Sequence, residues 1–502
     1  MPTAPMPGDR VLHETTSLCS RCKNAVEALV VAVPEGEVWM RKSCEEHGRQ
    51  DVRLSDDASW YESTRTLMPA TAAPARTMRE VEHGCPFDCG PCTSHQQKVR
   101  LPVVTITSAC NLDCPICYVH NKNEGPYHMG IEEFRAILGH LTRDHGGELD
   151  IVNFTGGEPT VHPHLLDFLE MARDAGIHRV TVCSNGIRLA RDEELVKRLA
   201  ELGARVALSF DSFEKLADHQ LQGAHLLATK TRCLDLLEKH GVDTTLIPVM
   251  TRGINDHEVG RILALGLRRS NIRHLEIHTI TYTGQGGASF SREGRMSMHE
   301  VLREIERTTD GLLTPQDFVP SPCAHPLCYQ IAYLLLDPAG GPPIPFTRFM
   351  PRSALSEALA DRLYLEPSPR LERAMHDAID RLWAEEDPAA ERTLQLLKKL
   401  LADVFPSARP ISRAESMRAS ERAVKAVYVH SHMDEETFDT ERAAMCCASN
   451  CYADGTTVPV CNYNVLYREK ESRFRKVPRE WNERRGGRRS FLPVLNAGSG
   501  GK

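Results

Sequence analysis

The stretch CNLDCPICY at positions 110–118 decides the fold, because it sets three cysteines at the spacing C-x-x-x-C-x-x-C between a predicted strand and a predicted helix. A run of apolar and β-branched residues, 103–107, comes directly before it. Apolar residues recur at helical spacing over 131–145. The three thiols therefore lie on the loop of a strand–helix unit, at the carboxyl end of its strand.

This strand–helix alternation repeats six times. The predicted strands are 103–107, 151–155, 180–183, 206–210, 244–249 and 274–279. The predicted helices are 131–145, 165–175, 193–202, 231–240, 258–268 and 298–308. Such alternation is typical of a parallel sheet with crossover helices. Six units cannot close an eight-stranded barrel, so the predicted fold class is α/β with a partial (β/α)6 barrel, whose catalytic residues lie at the carboxyl ends of the strands.

Small cysteine-rich segments flank the barrel on both sides. We predict a metal-binding N-terminal domain at 1–100, the partial barrel at 101–335, and a C-terminal domain at 336–502. The chain has 502 residues and 17 cysteines. Clustered cysteines in a long chain without an export signal bind metal more often than they form disulfides. Cys183 and Cys233 stand alone within apolar patterns, so we expect both to be core residues.

Charge and hydropathy argue against two classes of function. The formal net charge of -7 gives the chain no general attraction for nucleic acid. No apolar run approaches the roughly 20 residues that a membrane-spanning helix needs. The N-terminus also lacks the basic and then apolar pattern of a signal peptide. We therefore expect a cytoplasmic protein that does not bind nucleic acid.

A second motif, TGGEP at 155–159, follows the second predicted strand. Together with the cysteine triplet it resembles the radical S-adenosylmethionine (SAM) superfamily. The resemblance implies that Cys110, Cys114 and Cys117 hold a [4Fe–4S] cluster with one open iron, which chelates the amino and carboxylate groups of SAM. One-electron reduction, by a donor such as ferredoxin or flavodoxin, then releases a 5′-deoxyadenosyl radical that abstracts hydrogen.

The resemblance also implies where SAM is held. Glycines at a strand end let the backbone approach the methionine part of SAM, and Thr155 or Glu158 could bind its ammonium group. Polar residues after the third and fourth strands match places that grip ribose and methionine, although ordinary turn chemistry explains them equally well. The cofactor-binding candidates are Thr155, Gly156, Gly157, Glu158, Ser184, Asn185, Ser209 and Asp211.

The spacing C-x-x-x-C-x-x-C occurs a second time, at 85–92, where no strand precedes it. We expect these thiols to bind an auxiliary [4Fe–4S] cluster with a fourth ligand from elsewhere, and a further group of thiols to bind another. The first group is Cys85, Cys89 and Cys92, and the further group is Cys323, Cys328, Cys446, Cys447, Cys451 and Cys461. The neighbouring pair at 446–447 leaves the ligand at that point ambiguous, and buried free thiols are the alternative for the further group.

Two short pairs near the N-terminus predict a mononuclear metal site. Cys19 and Cys22 form C-x-x-C, and Cys44 and His47 form C-x-x-H. Four such ligands suit tetrahedral zinc or a rubredoxin-like iron. The two metals imply a structural and an electron-transfer role, respectively, and Cys85 is an alternative fourth ligand.

The order of motifs along the chain resembles one branch of the superfamily. These motifs include MD at 433–434, FD at 438–439 and PVCNYN at 459–464. They resemble the tetraether lipid synthase group and its bacterial relatives, formerly named pterin methyltransferases. This resemblance implies the joining of two lipid tails by a carbon–carbon bond. Two alternatives are radical methylation or modification of a pterin-like small molecule or a peptide, and a multi-cluster electron carrier.

The end of the chain is basic. Its charged and aromatic residues are Arg468, Arg473, Phe474, Arg475, Lys476, Arg479, Trp481, Arg484, Arg485, Arg488 and Arg489. Such a tail could contact anionic headgroups, which predicts a peripheral membrane protein. A solvated tail is the interpretation that we favour.

Overall fold

The computed structural model describes residues 4–119, 126–146, 149, 151–360, 362–384, 388–406 and 411–468. Within these residues a four-stranded sheet at the N-terminus precedes a 13-stranded sheet. The strands are β1 Arg10–Leu18, β2 Ala25–Ala32, β3 Val38–Cys44, β4 Gly48–Ser55, β5 Leu101–Thr107, β6 Ile151–Gly156, β7 Arg179–Ser184, β8 Arg205–Ser209, β9 Thr244–Ile247, β10 Val249–Met250, β11 Ile272–Thr279, β12 Val319–Pro320, β13 Tyr329–Leu335, β14 Ile344–Pro345, β15 Val424–His430, β16 Ala448–Cys451 and β17 Thr457–Pro459.

Fifteen α-helices lie within the described residues. They are α1 Ala58–Arg65, α2 Ile131–Asp144, α3 Leu165–Asp174, α4 Glu193–Glu201, α5 Lys215–Gln222, α6 Leu227–Lys239, α7 Val259–Arg268, α8 Gly284–Ser289, α9 Met298–Thr308, α10 Arg352–Ala358, α11 Pro369–Ala384, α12 Pro388–Val404, α13 Arg413–Ala423, α14 Thr440–Ala444 and α15 Val460–Asn462. Across the part of the chain described here, none of them is long and apolar enough to cross a membrane.

The N-terminal sheet is antiparallel, in the order β1-β2-β3-β4. Its buried side chains, with Val30 and Met40 at their centre, pack against Tyr61 of α1. Cys44 ends β3 and pairs with Gly48 at the start of β4, so a tight turn carries the residues between them. The sheet therefore presents its metal-ligand candidates on turns at one end.

The six predicted barrel strands are confirmed. They lie side by side and parallel, in the order β5-β6-β7-β8-β9-β11. The helices between them bury apolar side chains against the outer face of the sheet in the largest core of the protein. This is the partial barrel of the predicted fold class, with its loops after the strand ends gathered at one rim.

Strands from the C-terminal segment extend this sheet at both edges. Strand β15 pairs parallel with β11, and β13 pairs antiparallel with β15. At the other edge β16 pairs parallel with β5. A strand over 424–430 is predicted by the sequence, but an apolar run does not say which edge it joins. The domain boundaries at 100 and 335 stay predictions, and residues on both sides of 335 share one sheet.

The two faces of β11 and β15 differ in chemistry. Leu275, Ile277 and Val429 point outward into the main core, under the helices. The alternate residues, Glu276 and His278 among them, point to the inside of the barrel, since side chains alternate along a strand. The inside of the barrel is therefore polar along this edge.

Candidate active site and metal centres

The loop that carries Cys110, Cys114 and Cys117 follows β5 at the rim of the barrel, and all three thiols are partly buried. Its conformation is held from two sides. Asn185, after β7, donates from Nδ2 to Oδ1 of Asn111 at 2.7 Å. Gln285 of α8 donates from Nε2 to the carbonyl oxygen of Cys114 at 2.8 Å and to Asp113 Oδ1 at 2.9 Å. These bonds therefore hold the conformation of the cysteine loop.

The two glycines of the TGGE motif allow β6 and this loop to approach each other closely. Gly156 has φ of +141°, and a Cβ built on it would lie 1.9 Å from the carbonyl oxygen of Thr107. A Cβ on Gly157 would lie 2.2 Å from the carbonyl oxygen of Ala109. The Gly157 and Glu158 amides donate to those same two oxygens, at 2.9 and 2.8 Å. The end of β6 is thus joined directly to the residues before Cys110.

Glu158 is fully buried and accepts hydrogen bonds from its surroundings. Its Oε1 accepts from the amide and hydroxyl of Thr160, at 3.1 and 2.6 Å, and from the Ser184 hydroxyl at 2.8 Å. Its Oε2 accepts from the Asn185 amide at 2.7 Å. Burial raises the pKa of Glu158, and these donors oppose that rise. Glu158 therefore ties the end of β6 to the end of β7 and supports the cysteine loop.

The candidates after β8 are held differently. Asp211 is buried and accepts from the Val249 amide at 2.8 Å and from the side chain of Gln222. The carbonyl oxygen of Ser209 accepts from the ammonium group of Lys230. Lys230 is buried in α6 and interacts electrostatically with Asp211 and with Cys114. The sequence did not predict Lys230, because a lone lysine in an amphipathic helix is usually exposed.

Burial shapes the chemistry of the three thiols. It raises the pKa of Cys110 to about 11, and it raises that of Cys114 further, partly because Cys117 lies close by. The charge of Lys230 opposes this rise at Cys114. Thiolates in such a place require a compensating positive charge, which bound iron supplies. Three converging thiols on a preformed loop fit a cluster that keeps one iron open.

The comparison with protein families agrees with this geometry. Residues 104–266 match the family described as the Radical SAM superfamily. The chain carries a radical SAM domain. Because the matched residues contain both the cysteine loop and the TGGE strand end, the protein is a radical SAM enzyme. Residues 11–56 also match the "HMPTM N-terminal zinc ribbon domain".

Relatives of this radical SAM enzyme include proteins with two different names. It is 27% identical to "7,8-dihydro-6-hydroxymethylpterin dimethyltransferase" of Methanocaldococcus jannaschii, over 93% of this chain and 96% of the relative. It is 27% identical to "GTP 3',8-cyclase" of Klebsiella pneumoniae, over 41% of this chain and 65% of that protein. The solved structure of SuiB from Streptococcus suis bound to precursor peptide SuiA covers 43% of this chain and 46% of its own, at 16% identity and a TM-score of 0.36.

The zinc ribbon match falls on the predicted mononuclear site. Its four ligand atoms, from Cys19, Cys22, Cys44 and His47, lie within 4.8 Å of one another. The His47 Nδ1 atom is 3.5 Å from Cys44 Sγ and 3.6 Å from Cys19 Sγ. Burial raises the pKa of Cys19, but hydrogen bonds from the Cys22 backbone and from Gln50 lower it to about 6. The four predicted ligands therefore meet without Cys85, and a set of thiolates and one imidazole at this spacing suits a tetrahedral metal ion.

Cys85, Cys89 and Cys92 lie together in a separate pocket that Pro459 and Asn462 also line. The Asn462 side chain donates from Nδ2 to Cys89 Sγ at 3.0 Å. Burial raises the pKa of Cys89 to about 11. The C-terminal PVCNYN segment thus covers the triplet at 85–92. Residue spacing within the two motifs could not predict this contact between distant parts of the chain.

The further cysteine group is only partly as predicted. Its core is Cys323 and Cys447, whose sulfurs are 3.6 Å apart. Electrostatic interactions join Cys446 to Cys328 and Cys461. Cys451 lies apart from all of these: its thiol donates to the Ser449 carbonyl at 3.4 Å, and its side chain belongs to the barrel core. Cys446 and Cys447 both stay with the group, so the structure does not choose between them.

Cys183 and Cys233 lie in different surroundings, although the sequence predicts both as core residues. Cys233 is fully buried in the main core, as predicted. Cys183 is instead on the inner face of β7, where burial and then the carboxylates of Glu276 and Glu158 raise its pKa to about 12. The prediction for Cys183 was wrong because a strand buried on both faces gives no sign of which side chains face inward.

The basic tail lies outside the described residues except for Arg468. The Arg468 guanidinium stands 5.7 Å from the ring of Tyr118, directly after the cysteine loop, and 4.6 Å from the ring of Tyr463. The start of the tail is therefore fastened to the rim of the barrel by cation–π contacts.

Proposed function

We propose that this radical SAM enzyme forms a carbon–carbon bond at an unactivated carbon and that its substrates are the alkyl tails of membrane lipids. One observation carries the proposal: the C-terminal segment packs against the SAM-site loop. The ring of His432 stacks on that of Tyr118 at 6.1 Å between centroids, and Arg468 contacts the same tyrosine. The cysteine groups of that segment therefore stand near the place where a substrate radical would form.

The residues of the chain have distinct tasks in this proposal. When bound, a [4Fe–4S] cluster and SAM supply a 5′-deoxyadenosyl radical that abstracts hydrogen. Cys110, Cys114 and Cys117 would hold the cluster, and the bonds from Asn185 and Gln285 keep their loop in place.

The additional cysteine groups suit a reaction that needs a second step. Joining two tails requires the first alkyl radical to be kept from reacting until the second tail is activated. A sulfide of a nearby auxiliary [4Fe–4S] cluster could trap this first radical. Electron relay from a ferredoxin or flavodoxin is an alternative use of the same cysteines. The match of 11–56 to a zinc ribbon supports zinc, in a structural role, at the N-terminal site.

A specific observation also favours a second candidate, radical methylation of a pterin-like compound. The Methanocaldococcus jannaschii relative, matched over nearly its full length, is named as a pterin dimethyltransferase. The inner face of the barrel carries a buried carboxylate, Glu276, beside His278. Polar groups on this face suit a heterocycle that forms hydrogen bonds better than an alkyl tail.

Anaerobic turnover with SAM and dithionite separates these functions. Formation of 5′-deoxyadenosine that rises with added diacyl or diether lipid, together with a product of twice the tail length by mass spectrometry, supports tail coupling. A methylated pterin without lipid product replaces the first proposal by the second. Absence of 5′-deoxyadenosine under every condition would count against both proposals.

The matched control for turnover is a cysteine outside every metal group. Replacing Cys110, Cys114 and Cys117 by Ala should abolish 5′-deoxyadenosine and remove about four irons per chain. Cys233→Ala alters only the core and should retain both.

A further inference from the structure

Three imidazoles meet on the inner side of the barrel, and the Nδ1 atom of one of them, His432, lies 3.6 Å from Cys461 Sγ. They belong to His278 at the end of β11, His430 at the end of β15, and His432 two residues later. One ligand nitrogen from each ring lies within 4.8 Å of the other two. His278 and His430 are register partners in the parallel ladder, so the backbone itself fixes the separation of two of the three rings.

From this geometry we propose that His278, His430 and His432 bind a divalent metal ion such as zinc. Neutral imidazole is a preferred ligand of zinc, iron and cobalt, and a site of three protein ligands keeps a position open. The nitrogens lie within 4.8 Å of one another, and ligands about 2 Å from one ion lie about 3–4 Å apart, so small rotations of the rings would bring all three onto one ion. The proposal holds for either substrate class above.

The carboxylate of Glu276 contacts two of the three rings. One oxygen of Glu276, Oε1, lies 3.2 Å from His278 Nε2 and 3.3 Å from His430 Nδ1. Metal-binding histidines commonly face a carboxylate with the nitrogen that does not bind the metal, which orients the ring. Glu276 would also balance part of the charge of a divalent ion in this buried place.

Packing holds the rings in place. The ring of Tyr329 stacks on His430 at 3.7 Å between centroids, and the His430 and His432 rings are 4.0 Å apart. His432 also stacks on Tyr118, which directly follows Cys117 of the SAM loop. Tyr118 thus links His432 to the loop that carries Cys117, and a metal ion held by the three histidines would supply Lewis-acid chemistry toward a carbonyl or anionic oxygen of the substrate.

The test is the metal content of the whole anaerobic protein. We expect His278→Gln and His430→Gln each to lower zinc by about one ion per chain while iron and sulfide stay at the wild-type level. The matched control is His274→Gln, since His274 is buried on the same face of β11 but stacks on Tyr364 outside the group. Equal zinc in the wild type and both variants, at unchanged iron, would overturn the proposal.

If these variants do not fold, cobalt spectroscopy tests whether the three intact histidines bind a metal ion. In a Cys19→Ser, Cys22→Ser protein the N-terminal thiolate site is lost, and the three histidines remain. We expect this protein, loaded with Co²⁺, to show visible d–d absorption without a sulfur-to-cobalt charge-transfer band. Absence of any d–d absorption, or only bands with thiolate character, would contradict a three-histidine site.

Discussion

Gly156→Ala should separate the end of β6 from the cysteine loop. A methyl group there would lie 1.9 Å from the Thr107 carbonyl oxygen, whereas carbon and oxygen stay about 3.3 Å apart in ordinary contacts. The strands must part by about 1.4 Å, so the bonds from the Gly157 and Glu158 amides would be lost. Two such bonds contribute about 2 kcal/mol and the unfavourable φ costs a further 1–3 kcal/mol, so we expect a destabilisation of about 3–5 kcal/mol.

The assay is the initial rate of 5′-deoxyadenosine formation, with iron content and thermal unfolding measured on the same sample. A shift of about 1 Å in a positioning element costs roughly a hundredfold in rate, so we expect at least that loss. Gly139→Ala is the matched control, because nothing lies within 4 Å of a Cβ at this helical glycine. That control should gain about 0.5–1 kcal/mol. Wild-type turnover and iron content in Gly156→Ala would refute the close-contact argument.

Three further predictions concern other parts of the molecule. Burial raises the pKa of Asp56, but the hydrogen bond with His299 on α9 outweighs burial and lowers this pKa to about 2. The contribution of Asp56 to the free energy of unfolding is therefore complete above about pH 4 and is lost as the pH falls towards 2. Asp56→Asn should remove about 1–2 kcal/mol at neutral pH, measured by denaturant unfolding, and should flatten this acid dependence. Cys461→Ala should lower iron and sulfide per chain while Cys451→Ala leaves both unchanged, and equal losses would contradict the separation of the two thiols. Glu158→Gln leaves a carboxamide NH₂ facing donors, so SAM-dependent turnover should fall about tenfold or more, and unchanged turnover would contradict its positioning role.

Local pattern was enough for the barrel and for three groups of candidate metal ligands. Each of the six parallel strands is a short apolar run with its own helix, and the outward side chains of β11 and its neighbours form one core. The triplets at 85–92 and 110–117 and the N-terminal pairs are closely spaced, so one turn or loop brings each set together. Spacing along the chain is informative wherever ligands come from adjacent residues.

The sequence alone could not predict partners that come from distant segments. It could not place β15 and β16 at opposite edges of the sheet, nor separate Cys451 from Cys446 and Cys461. Burial of Lys230 beside Cys114 is likewise a property of the folded packing.

By itself, then, the sequence determined the radical SAM barrel, its cysteine loop and the four ligand candidates near the N-terminus. Only the tertiary structure decided which residues face inward and meet there. Residues 276–278 and 430–432 are about 150 positions apart, and a parallel ladder between β11 and β15 brings their imidazoles and one carboxylate together. The physical reason is that strand pairing joins residues without regard to their distance along the chain, while the alternation of side chains sends every second one into the barrel.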